Sequence, residues 1–500
     1  MYKTEPIWNA YAGATNFPKL QGNTQIETLI IGGGITGISL GMELSKAGRE
    51  SIIIEERKVG GGTSSHSTGN LYVSIDKILA VLSDKHNKKT VQQVLASRLA
   101  ALNRIKEFVN SYNLECDFQA CPWYLYSVDE DDNRVENELK TANEVGLNME
   151  RVDSSEIPYS SIKGVKLKDQ AQINPMKYVQ ELAKAIDASY CKIYENTAAI
   201  EIDKKGDVYE VKTTTGTITA KNLVHATHTP KGIMFLQTLL GPYREYGIAF
   251  KTKNKLDYKG IFWGFHEDEK YSTRTYNVGD EQFVLVIGKP HKVGQVDNNT
   301  QSIRKLESFA HQHFEVDHIA YRWGGQHYRP ADLLPYIGHQ KNNIFIATGY
   351  STDGLVYGTL AGIMIKDQIL GVSNPWTDLF DPSRTDLLKS AKSFIKENLN
   401  VAKQYLDLLP GTGEDSEFAD IAAGEGKVIE KKGHKLAVYR TLENKIVVKS
   451  AVCPHLGCIV AFNDAEKSWD CPCHGSRFKV DGSIIEGPSL LPLKEIKPEK

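Results

Sequence analysis

Residues 27–57, ETLIIGGGITGISLGMELSKAGRESIIIEER, constrain the fold more than any other stretch of the chain. The apolar run Thr28–Ile31 predicts a strand. Apolar residues then recur at helical spacing over Ile35–Lys46, Gly48 stops the helix, and Ser51–Ile54 predicts a second strand. This is a βαβ unit, and in its first turn Gly32, Gly34 and Gly37 form G-x-G-x-x-G. The first glycine permits the tight turn, the second lets backbone approach a pyrophosphate, and the third lets helix pack close to strand. The helix N-terminus offers free N–H groups and a positive dipole end to phosphates. Glu55 ends the second strand, where a carboxylate accepts hydrogen bonds from ribose hydroxyls. The unit predicts a dinucleotide-binding α/β domain.

Five hundred residues exceed what one core organises, so two or three domains are expected. A formal net charge of −2 gives no basic field for nucleic acid and no polybasic membrane patch. No apolar run approaches the ~18–20 residues that span a bilayer, and the start, MYKTEPIWNA, lacks a leader pattern. A cytoplasmic location is expected. Seven cysteines are too few, and odd in number, for a disulfide scaffold. Cys116, Cys121 and Cys191 are scattered and read as core or surface thiols. The other four cluster near the C-terminus.

Downstream motifs indicate which dinucleotide. Residues 60–71 read GGGTSSHSTGNL, residues 223–230 LVHATHTP, and residues 344–362 IFIATGYSTDGLVYGTLAG. Their order resembles the D-amino-acid-oxidase-like family of FAD oxidoreductases, which includes glycine-, sarcosine- and dimethylglycine-oxidising enzymes. The resemblance covers roughly residues 25–372. It implies a Rossmann-like, glutathione-reductase-type α/β FAD-binding domain built from segments of about 25–80, 150–230 and 335–380. An α+β substrate domain from about 81–150 and 231–334 would roof the flavin, the two together filling 1–380. FAD contacts are implied for Gly32, Gly34, Gly37, Glu55, Arg57, Thr63, Ser64, His66, Thr227, Gly349, Gly354 and Leu355. Gly349 and Gly354 would bring a second helix N-terminus to the flavin's pyrimidine edge. In the dimethylglycine dehydrogenase branch a Gly-Thr-Thr-Trp-His stretch carries a histidine bonded to flavin. Here Gly62-Thr63-Ser64-Ser65-His66 matches in register, with Ser65 in place of the tryptophan. Covalent attachment at His66, a non-covalent contact and a structural role all stay open.

Between these motifs, polar residues stand in strand-like contexts: Arg244 and Tyr246 in GPYREYGIAF, Arg274 in YSTRTY, and Trp323, Gln326 and His327 in YRWGGQHYRP. An amine oxidase of this type needs an aligned donor carbon and a clamp more than acid–base machinery. An arginine fork binds a carboxylate bidentately, so Arg274 and Arg244 are the candidate clamps, with Tyr246 and His66 beside them.

Residues 383–409 carry an apolar stripe at helical spacing and end at Pro410-Gly411, predicting a linker helix within 381–412. From 413 to 500 the pattern changes to short β runs with hairpin turns at Lys432-Gly433, Glu443-Asn444 and Asp481-Gly482. Into this small all-β domain fall CPHLGC, 453–458, and CPCHGS, 471–476. Two cysteines and two histidines could hold zinc. Each loop mixes Cys and His, however, as a [2Fe–2S] centre with two thiolates on one iron and two imidazoles on the other requires. The loops closely resemble those of Rieske proteins. That resemblance implies Cys453, His455, Cys471 and His474 as ligands and a disulfide between Cys458 and Cys473. It also implies Ser476 bonding a bridging sulfide, Phe478 where high-potential members have a tyrosine, and Gly487-Pro488 as the third loop. The potential should therefore fall below that of the serine-plus-tyrosine type.

Nearly end to end, the chain resembles bacterial FAD-dependent oxidoreductases with a C-terminal Rieske domain. The expected activity is oxidation of an amino acid or N-methylated amine. Electrons would leave singly through the cluster's exposed histidine edge to a one-electron partner. The reverse flow, entering through the cluster so that flavin reduces or oxygenates a substrate, is the alternative. A redox carrier without turnover is the third reading.

Overall fold

The computed structural model describes residues 4–159, 161–232, 235–267, 269–384, 418–431 and 433–496. The first strand runs Thr24–Ile31, starting before the apolar run; the helix Ile35–Lys46 and strand Ser51–Ile54 have the expected bounds. Thr24–Ile31 lies between two parallel partners, Ser51–Ile54 and Gly216–His225. Cys191–Tyr194 and Ile344–Thr348 extend the sheet in parallel on either side, and Tyr336–Lys341 closes one edge antiparallel. Helices and further chain cover both faces, which is why the central strands are continuously apolar rather than alternating. The helix Ile35–Lys46 is buried through Ser45 because the helix Gly354–Ile369 lies across it. An added Cβ at Gly362 would meet the Ser39 backbone at 2.9 Å.

A second, nine-stranded sheet stands beside the first, in the order Val316–Pro330, Leu240–Thr252, Glu281–Lys292, Glu269–Val278, Ile261–His266, Gln119–Ser127, Lys163–Gln172 and Asn70–Leu71, with Glu150–Arg151 beside Lys163–Gln172. It is antiparallel except where Ile261–His266 pairs with Gln119–Ser127. This corrects one expected boundary. The segment 150–230 is split, because Lys163–Gln172 pairs antiparallel with Gln119–Ser127 in the second sheet and only the following chain joins the first. The correction follows from pairing across distant sequence, which local periodicity does not encode.

The C-terminal part has a three-stranded antiparallel sheet, Gly426–Lys431, His434–Arg440 and Ile446–Ser450. A four-stranded one follows, Ala461–Asn463, Ser468–Asp470, Arg477–Lys479 and Ile484–Glu486. Gly433, Asn444 and Gly482 each have positive φ at the turns between strands. Residues 385–412 of the expected linker helix lie outside the described residues. Among the described residues no helix is long and apolar enough to cross a membrane.

Candidate functional site

The glycine turn opens a cavity that runs from Glu55 to the start of the helix Gly354–Ile369. Gly32 has φ +113, and an added Cβ there would meet the Ala226 carbonyl oxygen at 2.4 Å. A Cβ on Gly37 would fall 1.9 Å from the Gly32 oxygen, so only glycine lets this helix start so near the strand. Glu55 accepts from the backbone N–H of Gly33 through one oxygen and of Arg57 through the other, both at 2.9 Å. Burial raises its pKa, and the two N–H donors oppose that rise. Each oxygen keeps a lone pair for a hydroxyl. Ser64 Oγ accepts from the Ile35 N–H at 3.0 Å. Gly32, Gly34, Glu55, Arg57, Thr63, Ser64, His66, Thr227, Gly354 and Leu355 all line the cavity, whereas Gly37 and Gly349 stand behind it. Two helix N-termini and one ribose-type acid therefore converge on one elongated space. This donor set fits FAD.

The four residues read as catalytic separate. His66 lines the cavity; its Nδ1 lies 3.0 Å from the Gly62 oxygen, and burial lowers its pKa. Tyr246 lines it too, with its hydroxyl donating to Asn299 Oδ1 at 3.3 Å and accepting from Asn463 Nδ2 at 3.2 Å. Arg274 does not line it. Its Nη2 donates to the Ile173 oxygen at 3.1 Å, its guanidinium lies over Trp8, and burial lowers its pKa to about 10. Arg244 lines the cavity, but its fork is closed bidentately on the carboxylate of Glu466, from the C-terminal domain. Burial alone would raise the Glu466 pKa; Arg244 and Arg477 outweigh it and hold the carboxyl down to about 2. Arg477 stands 3.3 Å from Glu466 and 3.0 Å from Asp470.

At the C-terminal loops, Cys453 and Cys471 are buried and their thiols are in hydrogen-bond contact. The His455 and His474 rings lie 5.0 Å apart. His455 Nδ1 and both ring nitrogens of His474 are buried without a partner among the described residues. Unpartnered buried nitrogens are costly, and a metal that takes them removes the cost. Cys458 and Cys473 form a disulfide. The sulfurs of Cys458, Cys471 and Cys473 lie within 4.8 Å of one another, but the disulfide consumes two of them, leaving Cys471 as the ligating thiol of that trio. Two thiols and two imidazoles remain, a donor set that fits a [2Fe–2S] cluster. Ser476 Oγ accepts from the Ser489 N–H at 3.1 Å and also contacts Cys453. Phe478 is fully buried opposite Trp469.

The histidine edge is not exposed, contrary to expectation: His455 is 7% and His474 3% accessible. The edge docks on the flavin-side domain. Gln237 Nε2 donates to the oxygens of Pro230 at 2.8 Å and Gly232 at 2.7 Å, which turns its Oε1 to His455 Nε2 at 2.9 Å. His455 must therefore donate from Nε2, leaving Nδ1 for iron. Gln326 Nε2 donates to the Gly475 oxygen at 2.8 Å, and the Tyr328 hydroxyl donates to the Gly487 oxygen at 3.4 Å. Glu486 meets His228 Nδ1 at 2.6 Å, and Arg477, Ile485, Glu486 and Gly487 form part of the cavity wall.

Residues 27–368 match the family described as FAD dependent oxidoreductase, and residues 414–497 match the Rieske [2Fe-2S] domain. The chain belongs to the FAD-dependent oxidoreductase family. It is similar to the Rieske 2Fe-2S iron-sulfur protein YhfW of Bacillus subtilis, at 30% identity over 98% of this chain and 97% of that one. It is 23% identical to γ-glutamylputrescine oxidoreductase of Escherichia coli over 74% of this chain and 90% of that one. Glycine oxidase from Geobacillus kaustophilus shares the fold, with TM-score 0.59, 17% identity, and coverage of 72% of this chain and 99% of that one. The oxidoreductase thus carries FAD and a [2Fe–2S] cluster in one polypeptide. Sequence reading missed Gln237, Glu245, Glu466 and Glu486. None lies in a motif; Gln237, Glu466 and Glu486 are marked by their partners across the two domains, and Glu245 by its place in the cavity wall.

Proposed function

We propose that this oxidoreductase oxidises a small amine or amino acid and passes the electrons singly, through its own cluster, to an external acceptor. Bound FAD supplies a two-electron acceptor and the cluster a one-electron relay. The observation that carries this reading is the docking of the cluster's histidine edge on Gln237, with Glu486 and Gly487 walling the flavin cavity. Glu55 and the two helix N-termini would hold FAD. Cys453 and Cys471 would hold one iron, and His455 and His474 the other. The Cys458–Cys473 disulfide would tie the loops, and Ser476 and Phe478 would set the potential. The E. coli relative acts on a putrescine conjugate by name, which favours an amine as donor.

Anaerobic mixing with a panel of amines and amino acids tests the proposal. Flavin bleaching followed by the reduced cluster's EPR signal is expected. No bleaching with any donor, together with flavin reduction through the cluster by a ferredoxin or NAD(P)H reductase, would reverse the direction of flow.

A further inference from the structure

In the docked arrangement Arg244, the candidate carboxylate clamp, is paired with Glu466. Four Lys and Arg side chains line it: Arg57, Lys231, Arg244 and Arg477. Each has an acidic partner. Arg57 and Lys231 stand 3.5 Å from Glu56, and Arg477 and Arg244 share Glu466. Arg244 sits deepest, only 1% accessible, and the Glu466 carboxylate takes its Nε and Nη2, leaving Nη1 buried without a partner among the described residues. The next residue along that strand, Glu245, also lines the cavity, opposite Gly325 in the roof sheet, and makes no hydrogen bond or ion pair among the described residues. Gly325 in turn backs on the His66 carbonyl. The site thus offers a guanidinium whose Nε–Nη2 side is taken and a carboxyl without a partner among the described residues.

We propose that the substrate is a cationic amine with no carboxylate on the reacting carbon, and that Glu245 is its charge partner. The proposal rests on the amine-oxidising reading above and narrows it. Burial, and next Asp76, push the Glu245 carboxyl up to about 7 against the opposing pull of Lys270, Lys77 and Arg329. A half-buried carboxyl in this state is stabilised in its charged form by an arriving cation. An amino acid would instead bring its carboxylate beside Glu245 with the bidentate Nε–Nη2 side of Arg244 already held by Glu466. Two like charges there disfavour binding. Glu466 belongs to the C-terminal domain, so that domain sets specificity as well as carrying electrons.

Matched pairs test this: glycine against methylamine, alanine against ethylamine, and ornithine against putrescine, each mixed anaerobically with the full-length holoenzyme and followed by flavin absorbance. The decarboxylated member should bleach the flavin at least tenfold faster at equal concentration. Glu245→Gln should raise the KM for the amine about 10- to 100-fold with a smaller change in kcat, and Glu245→Asp should restore part of it. Acetate and anthranilate should leave the wild-type flavin spectrum unchanged, and Glu466→Gln, with its cluster EPR signal intact, should become perturbed by them. Faster bleaching by the amino acids would overturn the substrate class while leaving amine oxidation standing. An unchanged KM in Glu245→Gln would remove Glu245 from the site. Bleaching by neither member of any pair would refute the underlying reading instead.

Discussion

Single side chains are expected to set the cluster's potential and the charge balance between the domains. Phe478 is fully buried among Trp469, Cys453 and Cys471, with no polar atom to offer a ligand sulfur. Phe478→Tyr should raise the cluster's potential in a redox titration. A new hydrogen bond worth about 1 kcal/mol more in the reduced state corresponds to about 40 mV. No rise would mean that the hydroxyl reaches no cluster atom. Glu466 makes stability depend on acid. Its folded pKa of about 2 lies below the ordinary 4.5, so its ion pairs stabilise fully above 4.5 and are lost as pH falls towards 2. Over that window roughly 3 kcal/mol should disappear, and Glu466→Gln should flatten this part of the melting-temperature profile.

Elements decide how the domains meet. The strand Leu240–Thr252 carries Arg244, Glu245 and Tyr246, and the turn after Arg477–Lys479 and its neighbours returns the chain to the cavity. Gln237 precedes that strand and is 2% accessible. Gln237→Leu leaves the His455 N–H buried without its carboxamide acceptor, at a cost of about 1–3 kcal/mol. Denaturant unfolding should show that loss, with the EPR signal retained. An unchanged midpoint would show that the docked edge finds another acceptor, the Gly232 carbonyl being 3.3 Å away.

At the scale of the whole molecule, the proposed route from a two-electron to a one-electron site needs no diffusive step. The cluster loops dock on Gln237, Gln326 and Tyr328, so flavin-to-cluster transfer should be first order. Stopped-flow traces at protein concentrations tenfold apart should give the same rate for cluster reduction. A rate that scales with concentration would mean transfer between molecules.

The βαβ unit and the two Cys–His loops were readable locally, because their chemistry requires glycines, thiolates and imidazoles at fixed short spacings. Helix Ile35–Lys46 matched to the residue for that reason. Arg274 and Arg244 could not be ranked from sequence. Both sit in polar strand contexts, and only packing sends Arg274 to Trp8 and Arg244 to Glu466. The strand Lys163–Gln172 and the histidine edge differ from expectation because pairing and docking join residues far apart in the chain. The sequence by itself determined the cofactors, since each needs a compact motif. Only the tertiary structure decided that the iron–sulfur domain walls the flavin cavity and pairs Glu466 with its Arg244, since long-range charge pairing leaves no periodic trace.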